Sequence, residues 1–117
     1  MTLPPALDLF AGPQARRHIE RHGLRPGHVR TIPAAAGGPK GLILGPLDRF
    51  LFGDWLPRGA QPVDLVGASI GAWRMAAACL EAPVPAFQQL ETGYIHGDMK
   101  APPGRRLPLP EQVSTTF

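Results

Sequence analysis

Pro62-Val63-Asp64-Leu65-Val66-Gly67-Ala68-Ser69-Ile70-Gly71-Ala72 reads as a short strand, a sharp turn and the opening of a helix. Val63, Leu65 and Val66 supply the apolar strand text up to Gly67. From Ile70 to Glu81 the residues are nearly all apolar, the pattern of a helix buried against a sheet. Gly67-x-Ser69-x-Gly71 straddles the turn between them. A nucleophile on a strand-to-helix turn sits in a strained conformation, and the chain before and after it nearly touches. Side chains at 67 or 71 would clash there. A helix starting at Ile70 adds free N–H groups and a dipole that stabilise negative charge beside Ser69. Ser69 is therefore a candidate nucleophile. Without the strand and helix around it, the same text would be a plain glycine-rich turn.

Upstream, His28 to Ala35 reads as a strand carrying Val29, Thr31 and Ile32. Ala36-Gly37-Gly38-Pro39-Lys40-Gly41 follows as a loop. Acyl transfer needs N–H donors for the oxyanion of its tetrahedral intermediate, and glycines let a backbone turn its N–H groups toward substrate. Pro39 has no N–H, so Gly37 and Gly38 are the expected donors, joined by the N–H of Ile70. Lys40 is read as a residue that steadies the loop or attracts an anionic headgroup. A phosphate loop is the competing reading. It fails because Gly-Lys-Ser/Thr and Gly-x-Gly-x-x-Gly are both missing.

These two motifs, in this order and at this separation, resemble the patatin-like phospholipases. That family carries Gly-Gly-Gly-x-Arg/Lys-Gly after its first strand, then a helix, a second strand and Gly-x-Ser-x-Gly. The likeness covers about residues 28–82, with Ala36 where the family has its first glycine. It implies an α/β fold, the N-terminal portion of a three-layer α/β/α domain with a parallel central sheet. It implies hydrolysis of carboxylic esters in lipids through a Ser–Asp dyad, without metal or organic cofactor. The family's Asp lies in Asp-Gly-Gly or Asp-Gly-Ala far downstream. This chain contains no Asp-Gly, and Asp98 is its last aspartate. The expected base is thus missing, and the rest of such a domain is an expected partner. The α/β-hydrolase fold is the rival. It needs an acid and then a histidine after the serine; His96 is the histidine available, and Glu81 and Glu91 fall in helical text. A third reading is a non-catalytic module that binds acyl chains or a protein, since an apolar Ile70–Leu80 helix needs covering.

The remaining text frames this centre. Residues 1–11 are read as an irregular arm, 12–99 as the domain portion and 100–117 as a proline-rich flexible tail. Within the domain a helix is expected from Gln14 to His22, with Pro13 in its first turn and Gly23 past its end. His18 and His22 stand at i, i+4, but no third metal ligand is apparent nearby and Glu20 would point to another face, so a solvated face is the reading and no metal is expected. Leu42 to Phe52 is expected to be a helix with a Leu44, Leu47, Phe50, Leu51 stripe and a kink at Gly45-Pro46. Pro83 and Pro85 end the Ser69 helix, and Ala86 to Tyr94 reads as another.

Composition fits one small domain: 117 residues, 44% hydrophobic, Gly 14 and Pro 15. Net charge is +3, with arginines scattered rather than interleaved with aromatics, which argues against nucleic acid. A solvated basic surface explains the charge, with transient contact to anionic headgroups as the functional version. Cys79 is the single cysteine, so no intrachain disulfide is possible, and its apolar surroundings suggest a buried thiol. No signal-peptide pattern or membrane-length apolar run is present, so a cytoplasmic protein is expected.

Overall fold

The computed structural model describes residues 2–97, 102–104 and 111. Residues 2–12 form no regular element. Asp98 and almost all of the 100–117 tail lie outside the described residues.

Helix α1 runs Pro13–His22, with Pro at its start and Gly23 past its end at φ 70°. None of its residues is buried, because its text is polar on most faces. A 3₁₀ turn at Pro26–His28 leads into strand β1, Thr31–Ala34. Strand β2, Asp64–Gly67, pairs with it in parallel, Thr31 opposite Asp64 and Ala34 opposite Gly67. The fold is therefore mixed α and β, with one two-stranded parallel sheet among the described residues. Parallel sheets are ordinarily covered on both faces. Here most strand residues remain exposed, with Val66 at 58%.

The connection between the strands differs from its expected form. The glycine loop is partly helical: Gly38–Leu44 is a 3₁₀ segment. Helix α2, Gly45–Phe50, continues from it and widens into a π turn at Leu51–Trp55, then tightens at Leu56–Arg58. Gly45-Pro46 thus opens α2 instead of kinking it, since a proline is tolerated in the first helical turn. A Cβ on Gly45 would strike the Glu91 carboxylate of the last helix.

Helix α3 spans Ile70–Ala78 and α4 spans Pro83–His96. Pro83 begins α4 rather than merely ending α3, so α4 is longer than the expected 86–94. Glu81 lies in the bend between the two helices, not in a helix. The core gathers Ala34, Ile70, Met75, Ala77 and Phe87. Phe87 stacks tilted against Phe52 at 5.7 Å between ring centres, a separation typical of favourable aromatic pairs. Two sequence expectations fail on α3. It buries Ile70, Gly71, Arg74, Met75 and Ala77, while Trp73 within it and Leu80 just past its end stay exposed, so one face is buried and not the whole helix. Cys79, at its C-terminal end, is exposed and not a buried thiol.

Candidate active site

Because β1 and β2 are parallel and in register, the loops that leave them emerge at the same end of the sheet. The Ala68 N–H donates to the Ala34 carbonyl at 3.1 Å, carrying the strand pairing into the turn. One residue later the chain reverses at Ser69, with φ 54° and ψ −126°. Ser69 is the sole non-glycine residue with positive φ among the described residues. An L-residue held there costs about 1–3 kcal/mol and persists only where the surroundings enforce it.

The flanking glycines show the enforcement. A Cβ on Gly67 would lie 2.5 Å from the Ala72 Cα and 2.6 Å from its N. A Cβ on Gly71 would collide with the Ala34 carbonyl oxygen and stand 2.8 Å from that of Ala35. These neighbours are backbone atoms, which cannot swing aside. The turn is therefore pressed against both the start of its own helix and the end of β1. Ser69 is exposed, and among the described residues no side chain hydrogen-bonds to its hydroxyl.

The glycine loop starts at that same end of β1. Gly37 has φ 172° and ψ 1°, Gly38 takes φ 56°, and the Lys40 N–H closes the first 3₁₀ turn on the Gly37 carbonyl at 3.3 Å. The left-handed φ at 38 favours glycine on steric grounds. Gly41 then packs on Ile70: a Cβ there would be 2.8 Å from Ile70 Cγ2. The loop and the serine turn thus touch through Gly41 and Ile70, and through Ala34, Ala35 and Gly71. Gly38 and Ile70 each open a helical segment, so their N–H groups have no carbonyl a turn back within it. Lys40 is exposed beside them and forms no ion pair among the described residues.

Beneath this arrangement lies a pair that the sequence analysis passed over. Arg74 Nε and Nη2 donate to the two carboxylate oxygens of Asp48 at 2.7 and 2.8 Å, and both residues are buried. Its hydrogen bonds to the Asp48 carboxylate hold the Arg74 guanidinium above its ordinary value, so it stays charged. The pair ties α2, which continues from the glycine loop, to α3, which continues from the serine turn. Its signal was present: Asp48 falls on the face of Leu44 and Leu51, and Arg74 is a lone charge in apolar text. Nearer the surface, Arg49 Nη1 donates to Glu91 Oε1 at 2.6 Å, tying α2 to α4.

Among the described residues no acid or histidine of the rival reading hydrogen-bonds to Ser69. Glu91 is taken up by Arg49, and His96 ends α4 with its side chain exposed. Asp98 lies outside the described residues. No family model, no curated protein and no solved structure matches this chain.

Proposed function

We propose that this chain carries the nucleophile half of a patatin-like serine acyl hydrolase acting on lipid or acyl-glycerol esters. The observation that carries the reading is Ser69 at φ 54°, on a strand-turn-helix pressed against the end of β1 and the glycine loop. Strain on an exposed serine, walled in by two glycines, is what a nucleophile turn requires. The two strands would belong to a larger three-layer α/β/α domain, whose further strands would pair with the sheet edges and whose helices would cover its exposed faces.

In this reading the Ser69 hydroxyl attacks the ester carbonyl while its proton passes to a base. The N–H groups of Gly37, Gly38 and Ile70 hold the oxyanion. The alcohol leaves with that proton, and water then releases the acid from the acyl-serine. The base would be an Asp supplied from outside the described residues. Lys40, exposed beside the loop, would meet anionic headgroups during transient contact with a membrane surface. No helix among the described residues is long and apolar enough to cross a membrane. A cytoplasmic location belongs to the same proposal.

A fluorophosphonate probe tests it. Labelling should map to Ser69 and vanish in Ser69→Ala, either in this chain alone or after complementation with the downstream part of a patatin-like domain. Labelling elsewhere, or none in either setting, refutes it. A second reading, binding without chemistry, draws on the groove of about 380 Å³ between α3 and α4, lined by Trp73, Leu80 and Leu90. It would show as acyl-chain binding that Ser69→Ala leaves intact and Trp73→Ala weakens.

A further inference from the structure

We propose that the N-terminal arm and α1 form a surface that docks on an anionic lipid bilayer. The distribution of charge is the first observation. Within residues 1–30, Arg16, Arg17, Arg21, Arg25 and Arg30 are set against only Asp8 and Glu20, which leaves +3. That equals the net charge of the whole chain, so the residues after 30 balance to zero. Glu20 is neutralised by Arg16 at 2.9 Å. Arg17, Arg21, Arg25 and Arg30 are exposed and form no ion pair among the described residues.

Apolar side chains stand open in the same place. Leu9 is 67% exposed and Phe10 93%, with Leu7 and Leu24 also at the surface. Leu9 and Phe10 line a shallow groove of about 450 Å³ with Arg16 and Ile19. A second groove, of about 440 Å³, is lined by Ile19, Leu24 and Arg30. Ile19 borders both, so apolar surface continues from the arm across α1 to Leu24, with an arginine in each wall. Helix α1 has the two sides that an interfacial helix needs: Ala15 and Ile19 stand one turn apart on one side, Arg17 and Arg21 on the opposite side. It buries no residue, so its apolar side serves no core.

The combination selects the partner. Arginines alone would suit any polyanion. Arginines beside open Leu and Phe side chains suit a bilayer, where the apolar groups enter the acyl boundary and the guanidiniums meet phosphate. Trp73 and Leu80 are exposed too, but in a part of the chain whose charges balance. Helix α1 and the Pro26–His28 turn lead into the start of β1, whereas the glycine loop and Ser69 lie past the ends of the strands. The docking surface is therefore separate from the candidate active site. The four-residue strands between them are only about 13 Å long, so a chain lying along a bilayer can present both to it.

The test is co-sedimentation of the full chain with phosphatidylcholine vesicles, with and without phosphatidylglycerol. Binding should require the anionic lipid and weaken as added salt shortens the Debye length. Each arginine near an anionic surface strengthens binding about fivefold, so Arg17→Gln/Arg21→Gln/Arg30→Gln should weaken it by at least about tenfold. Leu9→Ser/Phe10→Ser should also lose at least about tenfold, through lost apolar burial. Arg58→Gln/Arg105→Gln/Arg106→Gln removes the same charge elsewhere and should stay within about threefold of the wild type. Equal binding to neutral vesicles, binding to neither, or equal losses in the two arginine triples overturns the proposal. Unchanged binding by Leu9→Ser/Phe10→Ser overturns it as well, and so does tighter binding to duplex DNA than to the anionic vesicles. Leu9 and Phe10 lie in no regular element and the α1 arginines are exposed, so circular dichroism should show these variants folded as the wild type. The readout involves no chemistry at Ser69, so it stands or falls apart from the labelling of that residue.

Discussion

Asp48→Asn keeps the shape of a buried side chain but sets an amide N–H₂ against one of two guanidinium donors, where a carboxylate now accepts 2.7 and 2.8 Å bonds from Arg74. One of those bonds becomes a donor–donor clash, and the Arg74 charge is left without a counter-ion at a side-chain exposure of 10%. Breaking one member of a buried pair costs about 3–5 kcal/mol. For a domain whose whole stability is about 5–15 kcal/mol, that is a large share. With a urea m-value of about 1.5 kcal/mol/M, a loss of about 4 kcal/mol moves the unfolding midpoint down by roughly 2.5 M. Urea titration followed by far-ultraviolet circular dichroism reads this directly. Arg74→Met should fall by a similar amount, because it strands the Asp48 carboxylate. The double variant Asp48→Leu/Arg74→Met should recover most of the loss, since replacing both charges leaves none uncompensated. Single variants within about 0.3 M of the wild type, on the same m-value scale, would refute the view that this pair joins α2 to α3.

Gly71→Ala drives a Cβ into the Ala34 and Ala35 carbonyls, so it should cost about 1–3 kcal/mol in thermal unfolding and abolish any Ser69 labelling. Ser69→Gly relieves the strained φ of 54° and should stabilise the fold by about 1 kcal/mol, whereas Ser69→Ala should not; equal melting temperatures for the two would count against strain at the turn. His28 should titrate below the ordinary imidazole value of about 6.5, owing to desolvation and then to the charges of His18, Arg25 and His22. Its folded pKa is the lower one, so its contribution to stability is full above about 6.5 and is lost as pH falls through the folded value. An NMR titration should show that midpoint, and His18→Asn should move it upward. A midpoint at or above about 6.5 would contradict the charge arrangement around His28.

Sequence alone was enough for the elements whose physics is local. Pro13 and Gly23 bracket α1 by their own backbone preferences. Apolar text and turn residues locate β1 and β2 within a few residues, and Gly67-x-Ser69-x-Gly71 states its steric need in its own letters, which the backbone contacts bear out. The 3₁₀ and π character between Gly38 and Arg58 was not legible, because residue propensities do not distinguish these pitches from the α-helix.

What the tertiary structure decided is which distant residues meet. Parallel pairing of β1 with β2 sets the glycine loop and the serine turn at one end of the sheet, a fact no spacing could prove. Asp48 finds Arg74, and His28 finds His18, only once the chain has turned back on itself. The Cys79 thiol stands at the surface because α3 has one buried face, although its neighbours in sequence are apolar. The reason is common to all of these: backbone preference acts over a few residues, whereas burial and charge pairing depend on neighbours that only the folded chain supplies.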